Sequence, residues 1–240
     1  MNTFLQGFLD NDSYFGRFMT KLGIIIAANL MFVIFSLPFF TLGASLAALY
    51  HVMLKTLRSG GVVNPFKQFW TGFKSNFKQA TIVWLIFAAI LAFLSMDLQI
   101  IDQAGSMFGM FRYGIYAIGL VAICIFFFLM PVMAAFEAKL KELIKHAFYF
   151  LLKKPWKSAV ILFFDVFPLI LTYTDLKDLP LYAFIWVLCG FGLQAMLAST
   201  LLLPEFKPFL PEVDGSGEFV TDPGDDEEQM LEDLKELDGL

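Results

Sequence analysis

The stretch "KLGIIIAANLMFVIFSLPFFTLGASLAALYHVMLK", residues 21–55, decides how this chain is organised. Between its two terminal lysines lie 33 residues without Asp, Glu, Lys or Arg. A helix that spans a bilayer needs about 20 apolar residues, so this run is too long for one crossing and slightly short for two. Pro38, Thr41, Gly43 and Ser45 interrupt it near the middle, where proline breaks a helix and glycine permits a sharp turn. We therefore predict two helices joined by a tight turn near residues 38–43.

The composition places the chain in a membrane. Of its 240 residues 58% are hydrophobic and only 16% are charged, whereas soluble domains have about 45–50% apolar and about 25% charged residues. The apolar runs lack the alternation of a β-barrel, so the predicted fold class is an all-α, polytopic membrane protein with about six transmembrane helices. The predicted spans are residues 22–40, 42–57, 80–98, 113–136, 158–173 and 181–203.

Basic residues predict the orientation of these helices, because cytoplasmic loops collect Lys and Arg. With six crossings, 15 basic residues fall on one side, and only Arg112 and Lys177 fall on the other. Both termini are therefore expected in the cytoplasm, with the protein multi-pass in the cell membrane. A cleaved signal peptide is the alternative for the first segment, but Asp10 and Asp12 precede it, and a basic leader region disfavours acids.

Two basic segments outside the predicted spans carry aromatic and aliphatic residues at helical spacing. The first, "NPFKQFWTGFKSNFKQA" (residues 64–80), contains Phe66, Trp70 and Phe73. The second, "EAKLKELIKHAFYFLLKKPW" (residues 137–156), has the same character. Such helices commonly lie in the membrane interface, so lipid is the expected neighbour. Docking of a partner protein is the alternative, with Phe66, Trp70 and Phe73 as candidate interface residues.

Charge divides the chain into two predicted regions. Residues 1–204 have a net charge of +6, and residues 205–240 have a net charge of −11. We expect a helical transmembrane domain followed by an acidic cytoplasmic tail that is largely disordered. A short terminal helix in this tail would carry Leu231 and Leu234 on one apolar stripe. The tail is either a solvated acidic segment or a partner-binding helix.

Polar residues inside membrane segments are the candidate functional residues. Asn29, His51, Asp165 and Gln194 fall at similar depths, about 5–13 Å from the predicted cytoplasmic helix ends. They are therefore candidates for a single intramembrane polar layer. Such a layer serves either as a hydrogen-bonded clamp between helices or as a site that handles protons or a ligand.

No motif in the chain indicates catalysis. The sequence has no glycine-rich phosphate loop, nucleophile elbow or paired-histidine motif. Cys124 and Cys189 lie in apolar runs, and the chain has just two histidines. We therefore expect no catalytic residue, no metal site, no cofactor and no nucleic-acid partner.

The chain resembles the YesL family of small membrane proteins from Gram-positive bacteria. The resemblance rests on "NLMFVIFSLPFFTLGASLAALYHVMLK", on "FWTGFKSNFKQA" and on "MPVMAAFEAKLKELIKHAF". The matching positions in the first of these segments are Asn29, Leu37, Pro38, Thr41, Gly43, Ala44 and Tyr50.

The resemblance implies a genomic context beside sugar-binding proteins and the permeases of carbohydrate ABC importers. The leading hypothesis is therefore a non-catalytic accessory subunit that contacts the permease and ATPase subunits of a sugar ABC importer. A stand-alone transporter or channel that uses the polar layer around Asp165 is one alternative. A membrane sensor or scaffold is the other.

Overall fold

A computed structural model describes residues 14–60, 63–104, 109–136 and 138–210, which form helices and short connections without any β-strand. In chain order the helices are α1 (Tyr14–Ser36), α2 (Leu42–Arg58), α3 (Pro65–Ala104), α4 (Phe111–Ala135), α5 (Leu140–Lys153), α6 (Pro155–Thr174), α7 (Leu179–Ile185) and α8 (Phe191–Phe206). A π-helical turn, Trp186–Gly190, joins α7 to α8 into one long segment. Six helical segments are long and apolar enough to cross a membrane. The predicted fold class is confirmed.

The predicted turn separates α1 from α2. Helix α1 ends at Ser36, Pro38 has an extended backbone, and a 3-10 turn covers Phe39–Thr41. The Thr41 hydroxyl lies 2.6 Å from the carbonyl oxygen of Phe35 and 2.7 Å from that of Pro38. Its single hydrogen can serve the Phe35 carbonyl, which has no helical partner at the end of α1, while the Pro38 carbonyl accepts from the Thr41 N–H at 2.9 Å. The opening run is a helical hairpin, as predicted.

Helix α2 is the most buried span, because its small residues let other helices approach closely. Its first three turns contain Gly43, Ala44, Ala47 and Ala48, and all four are buried. A Cβ atom on Gly43 would collide with the backbone oxygen of Ala80 on α3. Small residues at helix contacts are typical of membrane proteins, where close van der Waals packing drives association.

Helix α3 corrects one expectation from the sequence. The basic segment 64–80 was predicted as a helix separate from the span at 80–98, but both belong to one continuous helix, Pro65–Ala104. Its 40 residues are about 60 Å long, twice the thickness of the hydrocarbon core. Gly72 packs against His51 and Gly43 packs against Ala80. The first half of α3 therefore runs antiparallel along α2 instead of lying alone on the membrane surface.

The helical unit continues past the predicted domain boundary at residue 204. Pro204 lies inside α8, which ends at Phe206, and both Glu205 and Phe206 are buried. Glu205, counted with the acidic tail from the sequence, is thus part of the packed bundle. The remainder of the predicted tail, residues 211–240, lies outside the described residues.

Substitution of Gly43 tests the close approach of α2 and α3. We expect Gly43→Ala to lower the free energy of unfolding by about 1–3 kcal/mol, because the new methyl group meets the Ala80 backbone and the Trp84 side chain. Gly23→Ala is the matched control, since no atom lies within 4 Å of a Cβ built there. Thermal unfolding in detergent measures both, and an equal effect of the two substitutions would contradict the packing described.

Candidate functional site

Asn29 binds the π-helical turn. A π turn widens the helix and leaves backbone groups without their usual partners. The Asn29 side-chain nitrogen donates to the carbonyl oxygens of Trp186 (2.9 Å) and Val187 (2.7 Å), while its oxygen accepts from the Gly192 N–H (2.8 Å). Gly192 has no room for a Cβ, because Ile25 and Asn29 pack directly on it. Asn29 is therefore a hydrogen-bonded clamp between α1 and the last span.

Gln194 hydrogen-bonds to a second irregular stretch of backbone, in α6. The carbonyl of Phe164 would normally accept from the N–H of residue 168, but that residue is proline and has none. The Gln194 side-chain nitrogen donates to Phe164 O at 2.8 Å and to Asp165 O at 3.2 Å. Gln194 thus supplies the donor that Pro168 lacks and joins α8 to α6.

Asp165 lines a mainly apolar cleft of about 610 Å³ between the helices. Its side chain is 2% exposed, and its Oδ2 atom has no hydrogen-bond partner among the described residues. The other polar side chains of the cleft are those of Ser36, Tyr50 and Gln194. An ionised carboxylate in such surroundings is strongly disfavoured unless it is paired. The cleft therefore suits either a protonated Asp165 or a ligand that carries a hydrogen-bond donor or a positive charge.

His51 does not line this cleft, because it lies on a different side of α2 from Tyr50. Its Nδ1 atom is 3.3 Å from the carbonyl oxygen of Ala134; a carbonyl only accepts, so this nitrogen is the donor. Gly72 packs against the His51 Cβ atom and ring from α3. His51 thus lies at the meeting point of α2, α3 and α4.

The four predicted polar residues therefore do not form a single layer. Asp165 and Gln194 share the cleft, Asn29 is committed to the π turn, and His51 lines a separate pocket. Equal depth along helices brought only Asp165 and Gln194 together, because the side chains of Asn29 and His51 point toward other neighbours.

The candidate interface residues of α3 lie on one face of the helix but differ in exposure. Phe66 and Trp70 are 60% and 44% exposed. Phe73 is buried and packs against Phe35 with ring centroids 5.1 Å apart, so it holds α3 in place and is not available to a partner. Leu231 and Leu234 lie outside the described residues.

An ion cluster at the end of α8 was missed from the sequence. Glu205 binds Lys154 at 2.7 Å, Lys157 at 2.9 Å and Lys153 at 3.3 Å. These contacts tie the last span to the junction of α5 and α6. The sequence contained a signal for this cluster, because Glu205 is the only acidic residue between Asp178 and Glu212. In the structure it faces the lysine-rich junction.

Comparison with known protein families adds one finding. A profile of the family described as "Protein of unknown function, DUF624" matches residues 25–98. The chain is similar to that family over the second half of α1, all of α2 and most of α3. No curated protein and no solved structure matched the chain.

Positions of the sequence resemblance have structural roles within this matched region. Asn29 clamps the π turn, Thr41 closes the hairpin, and Gly43 allows α2 to contact α3. Ala44 is buried beside Gly43, and Tyr50 lines the cleft. The matched segment thus contains the groups that build the bundle and one wall of the cleft.

Removal of the Asn29 amide tests the clamp. We expect Asn29→Ala to destabilise the protein by about 2 kcal/mol, because it leaves buried backbone groups of the π turn unsatisfied. Asn76→Ala is the control, since within the described residues the Asn76 amide bonds to Gly72 and Ser75 of its own helix, and a change within about 0.5 kcal/mol is expected. Equal melting temperatures for the Asn29 variant and the wild type would show that the clamp is not needed.

Proposed function

We propose that this protein is a YesL-like, non-catalytic accessory subunit of a carbohydrate ABC importer in the cell membrane. The family resemblance supports the association with sugar import, and the similarity over residues 25–98 agrees with it at a coarser level. The structure contributes a surface suited to binding another protein. In this proposal the protein binds the permease and ATPase subunits and does not move sugar itself.

One observation carries the proposal: a rigid aromatic and basic ridge on the first half of α3. We define the α3 ridge as Phe66, Lys67, Trp70 and Lys74. Trp70 stacks on the buried Phe73 at 5.9 Å with an interplanar angle of 10°, and the Lys74 ammonium lies 4.9 Å from the Trp70 ring centroid. Trp70 and Lys74 of the ridge are therefore held in position before any partner binds.

The chemistry of the α3 ridge favours a protein partner. Exposed tryptophan next to cationic side chains is common at the centres of protein interfaces, where a few such residues contribute most of the binding energy. A preorganised ridge also loses little side-chain entropy on association. The proposed partner surface is apolar with acidic groups around it, on the cytoplasmic side of a permease or ATPase.

The proposal requires the α3 ridge to face the cytoplasm. Six crossing segments among the described residues, together with the 15-to-2 distribution of basic residues, support a cytoplasmic location of both termini in this proposal. Reporter fusions at Leu240 and within residues 103–110 should therefore give opposite topology signals. Matching signals at the two positions would rule out the six-crossing arrangement.

Loss of the α3 ridge should weaken partner binding without unfolding the protein. We expect Phe66→Ala with Trp70→Ala to reduce co-purification with a two-permease sugar importer at least about tenfold. Phe163→Ala with Phe164→Ala is the matched control, because these α6 aromatics are 53% and 43% exposed, close to the values of Phe66 and Trp70. Equal loss in both variants, or in neither, would count against the ridge as the binding surface.

A stand-alone transporter is the second candidate, and the cleft around Asp165 favours it. An intramembrane carboxyl that faces a cavity is typical of transport pathways. Under the accessory proposal, the isolated protein in liposomes should show no saturable oligosaccharide uptake. Uptake that disappears in Asp165→Asn, with unchanged thermal stability, would replace the accessory role with transport.

A further inference from the structure

The cleft around Asp165 contains polar atoms that the surrounding helices leave unsatisfied. Asp165 Oδ2 and Ser36 Oγ are both buried without a hydrogen-bond partner among the described residues, and both residues line the cleft. The side-chain nitrogen of Gln194 donates to the backbone carbonyls of Phe164 and Asp165 instead. No described residue that lines the cleft is basic. The cleft wall therefore offers a carboxyl group and no counter-charge.

The rest of the cleft wall is apolar and rich in aromatic rings. Phe32 and Phe191 pack with their ring centroids 4.9 Å apart, and Phe87 stacks on Phe126 at 4.2 Å with an interplanar angle of 8°. The phenylalanine and tryptophan rings that line the cleft are Phe32, Trp84, Phe87, Phe126, Phe127 and Phe191. The faces of such rings attract organic cations, and the attraction is stronger where water is excluded.

The cleft lies inside the helical bundle, because all six spans contribute to its wall. Its lining extends from Tyr50 and Asp165, in the middle of α2 and α6, to Leu37 and Leu42 at the hairpin between α1 and α2. Its volume of about 610 Å³ falls within the range of roughly 300–1,000 Å³ that is typical of small-molecule sites. The cleft can therefore hold a ligand of several rings or a branched apolar chain.

From these groups we propose that the cleft binds a lipophilic cation, an organic ammonium or phosphonium ion with an apolar body. The Asp165 carboxylate pairs with the positive charge, and the aromatic rings pack on the apolar body. The cation neutralises a carboxylate that is otherwise buried without a partner, so it offsets the cost of burying that charge.

The same wall disfavours a sugar. Its polar side chains are those of Ser36, Tyr50, Asp165 and Gln194, so most hydroxyl groups of an oligosaccharide would be left without hydrogen-bond partners. The cleft also has no residue in common with the α3 ridge. Binding of a lipophilic cation is therefore independent of the accessory role, and either can fail without the other.

Tetraphenylphosphonium is the probe of the cleft, because it carries one positive charge inside four phenyl rings. The full chain, purified in a neutral detergent, should bind it saturably in equilibrium dialysis, after partition into protein-free micelles has been subtracted. Tetraphenylborate has almost the same shape and the opposite charge. Measured in separate samples, it should bind at least about tenfold more weakly. No saturable binding of tetraphenylphosphonium, or equal affinity for the two ions, would overturn the proposal.

The variant Asp165→Asn tests the carboxylate, because it removes the charge and keeps the shape of the side chain. It should weaken tetraphenylphosphonium binding at least about tenfold. Asp97→Asn is the matched control, since Asp97 lies in the α3 span outside the cleft and its substitution changes the net charge equally. Wild-type affinity in a folded Asp165→Asn protein, or an equal loss in both variants, would overturn the proposal.

A second variant, Phe87→Leu, decides the question if Asp165→Asn fails to fold. It keeps an apolar side chain but removes the ring face, so it should weaken tetraphenylphosphonium binding about threefold. Phe93→Leu is its control, because Phe93 is exposed on the same helix outside the cleft. Equal affinity of the wild type, Phe87→Leu and Phe93→Leu would overturn the proposal.

Discussion

The close packing of α2 is the constraint on which the rest of the structure depends. A membrane helix gains little from hiding apolar groups, since lipid is equally apolar, so helices associate where their backbones approach closely. The run "GASLAA", residues 43–48, consists mostly of small residues. Neighbouring helices can therefore approach the α2 backbone closely from several sides. Neighbouring helices α1, α3, α4 and α8 all contact it. Four of the other five spans therefore share one buried helix, while most of their own outer surfaces are left for lipid.

The fold was predictable from the sequence at the hairpin, where proline and glycine determine which backbone conformations the chain can adopt. Proline and glycine between two apolar runs leave a hairpin as the arrangement that satisfies both length and charge. The continuity of α3 was not predictable in this way. Its basic first half and apolar second half differ in composition, but nothing between Lys78 and Ile82 breaks a helix, so both halves continue as one. A change from an aqueous to a lipid environment along a helix does not by itself end the helix.

The candidate site was less predictable, because its polar residues hydrogen-bond to irregularities of the helix backbone that sequence patterns do not indicate. The π turn leaves backbone carbonyls without helical partners, and Asn29 binds them. No sequence motif predicts such a turn. Pro168 is visible in the sequence, but its unpaired Phe164 carbonyl meets Gln194 only through the packing of α6 on α8. Depth along a helix can be counted from residue number, whereas the direction of a side chain depends on which helices are neighbours.

The two cavities share lining helices, because α2, α3 and α4 each contribute residues to both. Leu42, Leu46 and Tyr50 of α2 line the apolar cleft, whereas His51, Lys55 and Arg58 line the separate pocket where α2 ends and α3 begins. Tyr50 and His51 are adjacent in sequence yet face different cavities, because successive residues of a helix point about 100° apart. A ligand in either cavity can influence the other by moving α2. That helix is the most tightly packed of the spans, so small shifts there would have to be shared by every neighbour it contacts.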